Sequence, residues 1–168
     1  LPDFSLAVKD GRALLETDSG PIGIEAQGNG YLRGGFAGQI AATAPALTFG
    51  NCRLAGATLY GKVGIDAERP TFDGPLRLRS LDCGAGSPTL RQAAIQVRAK
   101  VDRDFAGGDG AYSGSTGAVR FAGLQASALG FKGKAAFRGG ELTASYDLGG
   151  TGIVHPQVQL AGLSANGS

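Results

Sequence analysis

The amino-acid sequence predicts an all-β chain: one long, curved antiparallel meander sheet forming an open trough, with at most one short helix near residues 88–94. Three observations carry this. Apolar and polar residues alternate with period two along most of the chain, the pattern of half-buried strands. Asp-Gly and Asn-Gly pairs and glycine-rich breaks interrupt the alternation at short intervals, which joins neighbouring strands as antiparallel hairpins. Glycine makes up 30 of 168 residues, and many aligned apolar positions are glycine or alanine, a composition short of bulk for a closed core.

Taken in order, Phe4, Leu6 and Val8 alternate before a turn at Asp10-Gly11, and Ile22, Ile24 and Ala26 before a turn at Asn29-Gly30. Phe36, Gly38 and Ile40 form the next run, followed by Leu59, Gly61, Val63 and Ile65, then by Phe72 and a turn at Asp73-Gly74. Leu76 and Leu78 alternate with Arg77 and Arg79 until the pattern breaks across residues 83–88. In TLRQAAIQVRAKVD, Leu90, Ala93, Ala94 and Val97 have helical spacing. Ala93, Ile95, Val97, Ala99 and Val101 nevertheless share one parity and Arg98 and Lys100 the other, which favours a long strand after a short helical turn at residues 88–92. GGDGAYSGSTG, residues 107–117, reads as a loop or wide turn. Strands resume at 119–121, 129–137, 142–148 and 154–160, for ten to twelve in all. Leu54-Ala55-Gly56, Phe121-Ala122-Gly123 and Leu160-Ala161-Gly162 open three copies of one apolar-Ala-Gly-apolar pattern, unequally spaced (54 to 121, then 121 to 160), so no fixed-period solenoid follows and a recurring hairpin corner is expected.

The length suits one segment, residues 1–168. The chain contains no methionine and begins at Leu1, and is read as a processed chain or a piece of something longer. No apolar run approaches the ~20 residues that cross a bilayer as a helix. Net charge is +2, distributed unevenly: six Lys/Arg against eight Asp/Glu in residues 1–74, ten against four in 75–138, none against two in 139–168. The basic middle suits anionic head groups, an acidic partner or a solvated outer face. Nucleic acid is not expected as a partner: only Tyr112 stands near the basic strands as a polar stacking residue, and no base-reading helix pattern occurs.

Cys52 and Cys83, with one histidine in the chain, make no zinc site, and no cofactor is implied. Each cysteine sits where a strand pattern starts or stops beside glycine, which leaves either a disulfide in an oxidising compartment or two buried thiols. His155 has Ser113, Ser115, Ser145 and Ser164 available by counting, yet no GxSxG elbow exists, and a lone histidine before proline reads as structural or surface. GNGYLRGG (28–35) and GDGAYSG (108–114) are one residue too long for a dinucleotide loop and open no helix. A single displaced aspartate is too little for a calcium repeat. Glu25, Asp66, Glu68, Asp82, Glu141 and Asp147 lack the aromatic cleft of a glycosidase, tryptophan being absent altogether. No residue is put forward as catalytic, and no enzyme activity is expected.

The apolar face itself remains. In a β-sandwich a second sheet would fill it, but Gly38, Ala42, Gly61, Ala93, Ala99, Gly133, Ala135 and Ala144 leave too little side-chain volume for the ~10 Å between packed sheets. A sheet curved on itself would instead leave a groove for something apolar.

In texture, GPIGIEAQGNGYLRGGFAGQIAA, CRLAGATLYGKVGID, RPTFDGPLRLRSLDC and VRFAGLQASALGFKGKAAFRGGELTASYDLGG resemble the repeating β-groove proteins of the Gram-negative envelope. These are the AsmA-like group, including TamB-like and YdbH-like intermembrane phospholipid transport proteins. The resemblance covers nearly the whole chain and is one of rhythm rather than of invariant motifs. It implies a periplasmic segment of a longer envelope-anchored bridge, in which phospholipid acyl chains lie in the groove. The groove lining would be Phe4, Leu6, Ile22, Ile24, Phe36, Ile40, Leu59, Val63, Ile65, Ile95, Val97, Val101, Val119, Phe121, Leu129, Phe131, Phe137, Leu142, Tyr146 and Leu148. It also implies a small lipoprotein donating a strand at one sheet edge. The competing expectation is a structural or adhesive β-sandwich or solenoid domain of a secreted or surface protein.

Overall fold

The computed structural model describes residues 1–84, 86–155 and 157–168; of Val158 only the backbone is described. Ala85, inside the expected break at 83–88, and Pro156, after His155, lie outside the described residues. Twelve strands form one antiparallel sheet and no helix occurs among the described residues. In chain order they are β1 (Ser5–Thr17), β2 (Gly20–Tyr31), β3 (Phe36–Phe49), β4 (Cys52–Asp66), β5 (Arg69–Asp82), β6 (Thr89–Val101), β7 (Gly107–Thr116), β8 (Val119–Phe121), β9 (Leu124–Ala126), β10 (Ala128–Arg138), β11 (Glu141–His155) and β12 (Val158–Gly167).

Each strand pairs with its sequence neighbours, apart from one apparent crossing. β10 pairs with β7 rather than β8, while β8 pairs with β9 and with β6. The registers resolve it: Thr116↔Leu129 and Val119↔Ala126 lie on one continuous ladder, as do Ala128↔Thr151 and Gln125↔Val154. β8 therefore continues β7, and β9 continues β10, each after a one- or two-residue interruption. The connectivity is a pure meander.

Several expectations are corrected. Asp10-Gly11, Asn29-Gly30 and Asp73-Gly74 are not turns; β1, β2 and β5 run through them, with a bulge between Val8 and Gly11. An Asp-Gly pair supplies local freedom, and ladder bonds on both sides of it outweigh that preference. The expected helical turn at 88–92 is absent: β6 begins at Thr89, where Leu90 pairs with Leu81 and with Val119. Residues 107–116 are not a loop but β7. Three of the actual hairpins turn on two residues with positive φ: Ala67-Glu68 (48° and 66°), Ala122-Gly123 (50° and 82°) and Gly139-Gly140 (57° and 85°). Cys52 and Cys83 are joined in a disulfide, with Cα atoms 3.8 Å apart, one step beyond the Arg53↔Asp82 pair at the end of the β4–β5 ladder.

A line of irregularity crosses the sheet. Ladder pairs are missing where Gly56 would meet Arg79, Gln92 would meet Arg79 and Gly117, and Ser127 would meet Gly152, although register is kept on both sides. Gly56, Gln92 and Gly152 have φ of 61°, 55° and 59° on β4, β6 and β11. One non-extended residue per strand shifts the alternation of side chains by one. The sequence shifts with it: Leu59 and Leu54, Leu76 and Leu81, Ile95 and Leu90, Leu129 and Ala126, and Leu148 and Ile153 have opposite parity across the line. Two of the three Ala-Gly repeats, at Gly56 and Gly162, lie at this shift, and only Ala122-Gly123 is the hairpin corner expected of all three.

The accessible surface is 10650 Å², whereas a folded globular monomer of this mass would expose about 7,700 Å². Among the described residues the buried ones are Ala44, Ala93, Ile153, Thr116 and three glycines, Gly61, Gly74 and Gly150, with no large side chain among them but Ile153, and no second layer supplies a core.

Two stability measurements test this architecture. Reducing the Cys52–Cys83 bond, which spans 31 residues, lowers the unfolding free energy by about 3–4 kcal/mol in urea titrations. Ala67→Asn, at a left-handed position that alanine tolerates poorly, raises it by about 0.5–1 kcal/mol.

Candidate functional site

Directly paired residues share a sheet face, so the registers identify each face without ambiguity. One row runs Ala13, Ile24, Ala42, Leu59, Leu76, Ile95, Gly114, Phe131, Leu148, Ala165, each paired with the next, from β1 to β12. A parallel row runs Gly28, Gly38, Val63, Phe72, Ala99, Gly110, Ala135, Ala144. Beyond the irregular line, Leu47, Leu54, Leu81, Leu90, Val119 and Ala126 form a third. No charged side chain occurs in any of the three.

The structure brings Leu6, Ile22, Ile24, Phe36, Ile40, Leu59, Val63, Ile65, Ile95, Val97, Val101, Leu129, Phe131, Phe137, Leu142, Tyr146 and Leu148 onto this single face. Phe4 lies just outside β1, its carbonyl accepting from the Leu32 amide. Val119 and Phe121 have the parity that simple alternation assigns to the opposite face. The shift between β7 and β8 returns them, and they line a concavity of about 210 Å³ together with Leu124, Leu129, Leu148, Ile153, Leu160 and Leu163. That concavity is walled almost wholly by apolar atoms.

Sequence reading missed Phe72, Leu76, Tyr112 and the leucines beyond the line. Tyr112 was hidden in the glycine-rich run taken for a loop; Leu54, Leu81 and Leu90 were hidden by their reversed parity, and only a search for a one-residue offset would find them.

The glycines of this face have a definite use. A Cβ added at Gly28, Gly61, Gly133 or Gly167 would fall 2.5–2.8 Å from the ring of Phe36, Phe72, Tyr112 or Tyr146 respectively. Each aromatic thus lies down over a glycine of the adjoining strand, covering backbone that no second layer reaches. Tyr112 and Phe131 add a tilted ring contact at 6.3 Å. The result is a low apolar surface that remains exposed: Leu142 at its β11 end is 68% accessible.

The opposite face is polar. Gln96 Nε2 and Arg98 Nε donate to the two oxygens of Asp73 at 2.7 and 3.0 Å, and Tyr60 Oη donates to Gln39 Oε1 at 2.8 Å. Near one rim, Arg69 and Arg138 each contact both Asp102 and Asp109, at 2.8–3.5 Å, closing a four-residue ring across β5, β7 and β10. Lys100 Nζ donates to Asp66 Oδ2 at 2.9 Å, and this bond with the ammonium charge holds the Asp66 carboxyl below its usual range.

The acids weighed for hydrolysis are largely engaged in this lattice: Glu25 with Arg12, Glu68 with Arg33 and Arg103, Asp66 with Lys100, Asp147 with Lys132. His155 Nδ1 accepts from the Gln157 amide at 3.3 Å and makes no hydrogen bond to a serine among the described residues. No group of three His, Cys, Asp or Glu suited to a metal occurs among them either. GDGAYSG lies within β7, and GNGYLRGG ends β2 and enters the next turn, so neither leads into a helix.

Two substitutions probe the two faces. Gly61→Ala must displace the Phe72 ring and the Asp73 carbonyl, 2.5 and 2.8 Å from the new methyl, and costs about 1–3 kcal/mol in urea unfolding. A depressed carboxyl pKa stabilises above the unfolded-state value, and that contribution is lost as pH falls through the lowered folded value. Lys100→Gln therefore moves the Asp66 midpoint upward in a carboxyl carbon NMR titration and removes this residue's share of the stability lost in acid, flattening the stability–pH curve there.

No family model, curated protein or solved structure matches this chain.

Proposed function

We propose that this chain is a non-enzymatic lipid-carrying segment that shields phospholipid acyl chains along its apolar face, in the periplasm and as part of a longer envelope protein. The observation that supports this best is the unbroken apolar row from Ala13 to Ala165 with no covering layer among the described residues. Water-exposed apolar surface on this scale marks a binding face. An acyl chain laid on it recovers ~0.8 kcal/mol per methylene removed from water. The texture of the face suits movement. Small residues and flattened rings give a shallow, repetitive surface, along which a chain exchanges one contact for a similar one. The resemblance to intermembrane phospholipid transport proteins points the same way and supplies the expected partners, phospholipid and a strand-donating lipoprotein.

The second reading, a structural or adhesive β-domain with a closed dry core, finds less support. A surface about 3,000 Å² above that of a globular monomer leaves the apolar face open within this chain.

Native mass spectrometry of the purified chain should retain bound phospholipid. Ile95→Asp and Phe131→Asp, on either side of Gly114 in the same row, should each abolish that adduct while the far-ultraviolet strand signal persists. A lipid-free wild-type chain, or unfolding on either substitution, would overturn the reading in favour of a closed core.

A further inference from the structure

The polar face carries a second feature, independent of the apolar one. Eight cations on this chain, Arg12, Arg33, Arg69, Arg98, Lys100, Arg103, Lys132 and Arg138, each lie within ion-pair distance of a carboxylate. Arg53, Arg77, Arg79, Arg91 and Arg120 have no such partner among the described residues, and all are exposed. They are not scattered. Arg53 pairs across the ladder with Asp82, Asp82 with Thr89, and Thr89 with Arg120; Arg91 pairs with Ser80, and Arg77 with Thr58 and Ala94. Arg53, Arg91 and Arg120 adjoin Leu54, Leu90 and Val119 in their strands and so point away from the apolar face. Arg79 lies over Gly56, where an added methyl would sit 2.9 Å from its Nε. The five guanidiniums thus gather over β4, β5, β6 and β8, a width of about 15 Å at the usual strand spacing. Asp82 is the only acid among them, and its Oδ1 accepts from the Gly84 amide.

We propose that this arginine patch docks the sheet onto an anionic phospholipid surface. Unpaired guanidiniums are matched to phosphate oxygens by their paired donors. Their neighbours in the rows, Thr58, Ser80, Thr89 and Ala94, are small, and the nearest aromatic on this face, Tyr60, is turned towards β3, where it donates to Gln39, so the rows themselves offer no free aromatic for stacking a base and no apolar anchor of the kind that carries protein interfaces. What is left is a shallow array of positive charge, complementary to a plane of phosphates. Elsewhere the arginines are neutralised and, among the described residues, only lysines 9, 62 and 134, on β1, β4 and β10, lack a carboxylate within ion-pair distance.

The test is flotation of the chain with vesicles of phosphatidylglycerol mixed into phosphatidylcholine and with phosphatidylcholine alone. Binding should require the anionic lipid and weaken as salt is raised. Arg91→Gln should lower partitioning about fivefold and Arg91→Gln with Arg120→Gln about twenty-fivefold, each arginine near an anionic surface contributing roughly a factor of five. Lys134→Gln, the same charge change outside the patch, should lower it less than twofold. The proposal is overturned if the two vesicle types bind equally, if Lys134→Gln weakens binding as much as Arg91→Gln, or if a single-stranded oligonucleotide or polyglutamate is preferred to anionic vesicles. Because the readout is salt-dependent partitioning of the wild-type chain and its charge variants onto anionic vesicles, it is independent of whether a phospholipid adduct is retained in native mass spectrometry, and the two proposals fail separately.

Discussion

Everything in this structure depends on lateral packing within one sheet. A residue in a sandwich or a helix-covered sheet finds most of its contacts in the facing layer; here the only neighbours are in the adjoining strands. The aromatics therefore lie along the sheet instead of standing on it, and they need somewhere to lie. Glycine provides it: Phe36 over Gly28, Phe72 over Gly61, Tyr112 over Gly133 and Tyr146 over Gly167 place apolar area over exposed backbone. The glycine content that makes the chain look unsuited to strands is what permits a single layer to stabilise itself, together with a disulfide that ties β4 to the end of β5.

A second constraint follows from length. Long strands keep a right-handed twist, and a sheet of 13- to 15-residue strands cannot stay both flat and regular across its width. The line through Gly56, Gln92, Gly117, Ser127 and Gly152 absorbs this at the same level in successive strands. Because the strands that the line crosses each change parity there once, and the sequence pattern changes with it, the apolar side stays apolar on both halves. An offset in only one strand would have turned Leu54 or Leu90 towards the arginines. The concavity beside β8, β9, β11 and β12 forms where the two halves meet.

This also explains which parts of the fold the sequence discloses. Period-two alternation identifies the strands and, within each half, the correct face, because a half-exposed sheet imposes that pattern on every strand. Turns are less legible. Asp10-Gly11, Asn29-Gly30 and Asp73-Gly74 advertise hairpins but carry ladder bonds, while Ala67-Glu68 turns the chain with no glycine at all, held by Arg33 and Arg103 on Glu68. The parity shift is the least legible feature, since a single displaced residue looks like the end of one strand and the start of another. For that reason the glycine-rich β7 reads as a loop, and Tyr112, which covers Gly133, goes unnoticed among the apolar residues.

A one-layer sheet separates stability from ligand chemistry more fully than a closed core can. Ion pairs such as Arg98–Asp73 and the ring of Arg69, Asp102, Arg138 and Asp109 stay on the water side, where they bridge strands and tolerate any occupant of the other face. On the apolar side, side chains already half exposed in the empty state have little further burial to lose when a guest leaves. A buried pocket that released its ligand would have to collapse or admit water; this face does neither, because the Phe72 and Tyr112 rings rest on glycine whether or not anything lies above them. On the proposed function, binding and release would then proceed without refolding, which is the mechanical condition for a surface along which an apolar chain is to move.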